Sequence, residues 1–180
     1  QVSDYPVTAR DLKPYTYPPA TELRKLRMRS ICLGSYIPWD VKSQVARIMD
    51  ELGWKGDQVE GVPPEYDYEK IECFMQGVRD WTKYLKRGFA RTTHLTSIDI
   101  RNGRKTREES LELVDKYDGR RPPSLDLFLR YLDITEEEYL KIVGQHVVSP
   151  HEMPTLDEIQ SAGTQPRLHD FDRWSRVVGD

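Results

Sequence analysis

The sequence predicts a mainly helical chain with little or no sheet of its own. Three observations carry this: apolar residues recur at three- and four-residue spacing in several segments, hydroxyl–carboxylate pairs mark helix starts, and strand-like alternation is nearly absent. The 180 residues suffice for one domain with a real core and are too few for two domains of ordinary size.

In chain order, Pro6, Pro14, Pro18 and Pro19 argue against helix from Gln1 to Pro19, where Tyr5, Tyr15 and Tyr17 give an extended strap something to pack with. Residues 1–19 therefore read as a linker. Ala20 to Ser30 favours helix but is strongly basic, with Leu23 and Leu26 as its narrow apolar stripe. Ile31 to Ile37 is short and apolar and stops at Pro38, which suits a strand or an extended pass. Asp40 can cap the next helix, where Val41, Val45, Ile48, Met49 and Leu52 fall at helical spacing and Gly53 supplies a left-handed stop. After a polar loop from Gly56 to Tyr68, Ile71, Phe74, Met75, Val78, Trp81 and Leu85 mark a second amphipathic helix closed by Gly88. A third runs from about Thr92 to Asn102 and ends at Gly103.

Two later starts rest on local chemistry. Thr106 with Glu109 and Thr135 with Glu138 fit the capping box, in which a hydroxyl and a carboxylate satisfy unpaired backbone N–H groups reciprocally. Ile134 and Tyr139 add a hydrophobic staple at the second, and Ser124 can cap a short helix through Leu132. Residues 20–147 thus form the expected helical domain. Residues 148–180 read as an irregular tail, with Pro150, Pro154 and Pro166, a short helical candidate at Thr155, and Phe171 and Trp174 as anchors.

Hydrophobic residues make up 37% and charged residues 32%, and mean hydropathy is −0.71. Some apolar surface is therefore expected against a partner. No apolar run approaches the roughly 18 residues a membrane helix needs, and the N-terminus lacks a signal-peptide order. Cys32 and Cys73 make neither a CxxC pair nor a zinc pattern and read as buried free thiols of a reducing, cytoplasmic compartment. The start at Gln1, followed by a proline-rich stretch, reads as an interior segment of a longer polypeptide.

Charge is segregated. Lys83 to Arg107 holds eight cations against Asp99, a net of +7 in a chain whose total is −3. Such density suits phosphate or another polyanion. On a helix beginning near Thr92, Arg91, His94, Ile98 and Arg101 share one face, so Arg91, Thr93, His94, Arg101 and Arg104 are the candidate substrate- or phosphate-binding residues. A solvated face with acid-paired arginines is the competing reading. The tryptophans suit core or interface, Glu136 to Glu138 suit a helix N-terminus, and His146, His151 and His169 fit no zinc spacing. No metal-ligating or catalytic set is apparent, and no Gly-rich lysine loop, GxSxG or HExxH motif is present.

Four segments in this order carry a family resemblance: Ser35-Tyr36-Ile37-Pro38-Trp39-Asp40, Glu51-Leu52-Gly53-Trp54, Lys86 to His94, and Ile100 to Glu109. From about Lys13 to Val143 the chain resembles the C-terminal half of the N-acetyl sugar amidotransferases, of the PP-loop ATP pyrophosphatase superfamily. The most specific part is Gly88-Phe89-Ala90-Arg91-Thr92-Thr93 with Ile100-Arg101-Asn102-Gly103-Arg104-Lys105-Thr106-Arg107-Glu108-Glu109. The resemblance implies a helical C-terminal module of an α/β PP-loop protein, joined through residues 1–19 to an N-terminal domain that binds ATP with Mg. The implied reaction adenylates the acetamido oxygen of a nucleotide-linked N-acetyl sugar, and ammonia displaces AMP to leave an acetamidino group in surface-glycan biosynthesis. Implied partners are a glutaminase and a barrel-type ammonia-channelling subunit. Without the Ser-Gly-Gly-x-Asp-Ser nucleotide loop, these residues alone are not expected to be active. Two other classes remain open from the residues: a protein-interaction module with a basic docking face, and a nucleic-acid-binding module.

Overall fold

The computed structural model describes residues 7–27 and 29–169. Nine α-helices occur among them: α1 (Ala9–Leu12), α2 (Ala20–Lys25), α3 (Val41–Leu52), α4 (Gln76–Arg87), α5 (Arg91–Arg101), α6 (Arg107–Tyr117), α7 (Ser124–Leu132), α8 (Glu136–Gly144) and α9 (Leu156–Ala162). The described residues contain no named strand, and the one isolated bridge pairs Arg121 with Thr164. The mainly helical expectation holds. None of the described helices is long and apolar enough to cross a membrane.

The chain divides into two units, Gln1–Gln44 and Val45–Asp180. In the first, α1 departs from the expected helix-free linker. Thr8 and Asp11 form a capping box, and Pro14 falls in a following 3-10 turn, Lys13–Tyr15, where a missing N–H is tolerated. Pro14 therefore follows one helical turn rather than interrupting it. The basic segment from Ala20 stays helical only to Lys25, and Arg27 takes φ 48°. Leu33–Ser35 forms a 3-10 turn instead of a strand, with Ile31 and Tyr36 exposed. Asp40 caps α3 as expected, accepting from the backbone N–H and hydroxyl of Ser43. No described residue before Val59 is buried.

The second unit holds the core. Val78, Trp81 and Leu85 on α4 pack with Leu125 on α7, Tyr139, Leu140 and Val143 on α8, and Ile159 on α9. Trp81 and Tyr139 stack with centroids 5.9 Å apart, and Ile134 packs against this cluster, completing the staple. A smaller cluster joins Val59, Val62 and Tyr66 to Leu95 of α5, with Ile71 against it. That contact explains why α4 begins at Gln76 and not near Ile71: Ile71 leaves the helical period to cover the smaller cluster, while Met75 packs against the main one. Gly77 is required where α4 meets the preceding loop, since a Cβ there would lie 2.5 Å from Glu60 Oε2. At the other end Gly88, at φ 76°, donates its N–H to Tyr84 O.

The capping boxes at Thr106 and Thr135 form as expected, and Thr155 makes another at α9. Ser124 behaves differently. Pro123 occupies the cap of α7, and the Ser124 N–H and hydroxyl turn to the buried Glu60 carboxylate. Within the segment after 147, Val148 N–H donates to Lys86 O, a ring nitrogen of His151 bonds Leu85 O, and Met153 and Ile159 join the core. Tyr5, Phe171 and Trp174 lie outside the described residues. Cys32 and Cys73 are free thiols but exposed, contrary to their expected burial: no described residue before Val59 is buried, and Cys73 belongs to neither apolar cluster. Trp81 is buried at 2% exposure, whereas Trp39 is 64% exposed.

Candidate functional site

One face of α4 is apolar and enters the core. On the opposite side the helix carries Arg79, Lys83, Lys86 and Arg87 at i, i+4, i+7 and i+8, which brings four cations to one surface. The αL residue Gly88 then turns the chain so that α5 starts beside that surface. Arg91 and His94 from the first turns of α5, with Asp80 and Thr82 of α4, complete the lining of an open cleft of about 530 Å³.

Arg91 is held in place rather than offered freely. Its Nη1 donates to Glu69 Oε1 at 2.9 Å, while Nε and Nη2 donate to the two Asp80 oxygens at 3.2 and 3.1 Å. Asp80 also accepts from Gln76 Nε2 at 3.1 Å. This bidentate, largely buried pair makes a rigid wall and engages both carboxylates with one guanidinium. Arg79, Lys86 and Arg87 form no ion pair among the described residues, and Lys83 Nζ sits 4.4 Å from the Phe89 ring centroid. Burial and the neighbouring Arg91 both lower the Lys83 pKa. His94 is lowered too, first by loss of solvent and then by Lys83 and Arg91, so its imidazole stays neutral at pH values where an ordinary histidine begins to protonate. A neutral ring offers one donor and one acceptor beside four cations.

Thr93 serves a different task. Asp118, just beyond α6, accepts from the backbone N–H groups of Ala90, Thr92 and Thr93 at 2.9, 3.0 and 3.2 Å and from Thr93 Oγ1 at 2.6 Å. An internal carboxylate thus occupies the N-terminus of α5. Arg101 is exposed at the far end of α5, about 15 Å along the axis from Arg91 by helical rise. Arg104 Nε donates to the buried Asp99 at 2.7 Å, and Asp99 also accepts from Tyr66 Oη. The structure therefore brings Arg91 and His94 together at the cleft and places Thr93, Arg101 and Arg104 away from its lining. Arg79, Lys83, Lys86 and Arg87 complete the site in their stead. Their spacing opposite the Val78–Trp81–Leu85 stripe was the available signal.

These residues do not fit a Mg–ATP site. Glu69 and Asp80 are both committed to Arg91, and no group of three His, Cys, Asp or Glu among the described residues could hold a metal ion. A larger groove of about 860 Å³ beside α8 and α9 is mostly apolar, and its Arg121 is tied to Glu136 and Asp126.

Fold and cleft define a helical module with a cationic cleft on its surface. Residues 64–160, more than half of the chain, match the family model described as LPS biosynthesis protein WbpG-like, C-terminal domain, and the chain belongs to that family. It is an LPS-biosynthesis-related protein at the level of this domain. The matched stretch contains all eight cleft residues. No curated protein and no solved structure matches the chain.

Proposed function

We propose that this chain is the substrate-binding C-terminal part of an N-acetyl sugar amidotransferase, and that the α4–α5 cleft holds the phosphates of a nucleotide-linked N-acetyl sugar. The observation that carries the reading is the four-cation face of α4, on which Arg79, Lys86 and Arg87 form no ion pair among the described residues while Asp80 in the same lining is already engaged by Arg91. Cations without internal carboxylate partners can give their full charge to an incoming anion. Neutral His94, at the edge of that face, suits a sugar hydroxyl or amide. ATP with Mg would be bound by an N-terminal PP-loop domain, and ammonia would come from a glutaminase through a barrel-type subunit, all in the cytoplasm. This chain's own part is to bind and orient the sugar nucleotide. Arg101 and Arg104, at the far end of α5, would face those partners.

Titration calorimetry of the 180-residue chain with UDP-N-acetylglucosamine as probe tests the binding role. Replacing Lys83 and Arg87 together by alanine is expected to weaken binding by at least tenfold, since charge-assisted contacts contribute about 1.5–3 kcal/mol each before screening. Arg101→Ala is expected to change affinity less than about threefold, as an exposed, salt-screened charge outside the cleft lining. Equal affinity in the double variant and the parent rejects the cleft. Binding of a single-stranded oligonucleotide that is far tighter and steeply salt-dependent would favour the nucleic-acid class instead.

A further inference from the structure

Behind the Asp80–Arg91 pair, the second unit has a small, partly open cavity lined by Glu60, Asp80, Trp81, Tyr117, Arg120 and Gln165 among others. Two of these residues carry the unsatisfied donors of the interior: Trp81 Nε1–H and Arg120 Nε–H are buried and bond no described residue. Trp81 is 2% exposed, so solvent outside cannot serve its indole. Buried donors are nearly always paired, with protein or with an internal water. The cavity has room for about 10 Å³ of a water-sized sphere, the lower bound for one water and far too small for phosphate or sulfate.

The same walls supply acceptors. Among the described residues, Glu60 receives bonds only from Ser124, and Asp80 receives three, from Gln76 and Arg91. A carboxylate has about four lone-pair sites, so each retains capacity for one more donor. We propose that this cavity is a binding site for a single water, which accepts from Trp81 Nε1–H and Arg120 Nε–H and donates to the Glu60 and Asp80 carboxylates. Four partners around one small volume match the two-to-four bonds of a structural internal water. The water would link α4 to the loop between α6 and α7 and steady Asp80, whose other side holds Arg91 in the cleft wall.

Nuclear Overhauser contacts to water, recorded on the ¹⁵N-labelled 180-residue chain in both laboratory- and rotating-frame modes, test this directly. The Trp81 indole is identified by subtraction with Trp39→Phe, Trp54→Phe and Trp174→Phe; Trp39 and Trp54 do not line the cavity. The expected result is a long-lived water contact to both Trp81 Nε1–H and Arg120 Nε–H. Indole exchange should also be slowed roughly 100-fold relative to Trp39. A contact missing from either proton, or a Trp81 indole exchanging as fast as that of Trp39, overturns the site.

Discussion

Asp118 caps a helix it does not belong to, and its removal should be among the most damaging single changes in the second unit. Asp118→Ala deletes the acceptor of three backbone N–H groups at 2.9 to 3.2 Å and of the Thr93 hydroxyl. An ordinary N-cap loss costs about 1 kcal/mol and at most about 2. Here the acceptor is charged, and Ala90 and Thr92, at 5% and 0% exposure, cannot recruit solvent freely. Bonds to a charged group are worth about 1.5–3 kcal/mol each but are not additive, so a loss of about 3 kcal/mol is expected. That corresponds to a fall of about 6–12 °C in Tm for a chain of this size. Asp118→Asn keeps one acceptor oxygen and should fall between the two. Urea unfolding followed by far-UV circular dichroism, with an unchanged m value, is the assay. A loss below about 0.5 kcal/mol for Asp118→Ala would refute the reasoning, because it would mean that the α5 N-terminus is satisfied without Asp118.

Two further outcomes concern pH. Glu109, Glu138 and Glu158 have pKa values lowered by accepting the backbone N–H of Thr106, Thr135 and Thr155, then by the threonine hydroxyls. Their stabilisation is complete above the ordinary glutamate value of 4.5 and is lost as pH falls through the lowered folded values. Replacing all three with glutamine should flatten the acid limb of a dichroism titration, and an unchanged limb would discount the capping boxes. Glu60, raised mainly by burial, acts in the opposite sense, since the folded state gains its proton first as pH falls. At the cleft, an anion should restore the depressed His94 pKa. Sulfate, which does not titrate in this range, is expected to bind more tightly as pH drops below 6.5 and to take up a proton on binding. His94→Gln should abolish that uptake, and its persistence would assign the proton elsewhere.

What the sequence disclosed was local. The boxes at Thr106 and Thr135, the cap at Asp40 and the αL stop at Gly88 each depend on residues within four positions, and each forms. Features set by distant partners were not visible. Asp118 reaches back 25 to 28 positions, Glu60 reaches 64 positions to Ser124, and Ile71 abandons a helical period to cover another cluster. The candidate site follows the same rule. Charge density located the region, but whether an arginine is available depends on its carboxylate neighbours: Glu69 and Asp80 claim Arg91, and Asp99 claims Arg104. The cations of α4 were legible as a helical spacing opposite the apolar stripe, but that Arg79, Lys83 and Arg87 share a cleft with Arg91 and His94 depended on the fold.

An anion held between α4 and the start of α5 is what the cationic cleft is proposed to bind. The most direct measurement is a ¹⁵N chemical-shift map of the 180-residue chain titrated with UDP-N-acetylglucosamine. Saturating shifts confined to the amides of Arg79 to His94, with the α8–α9 groove unmoved, are the predicted result. Shifts gathered in that groove, or none at saturating ligand, would contradict it.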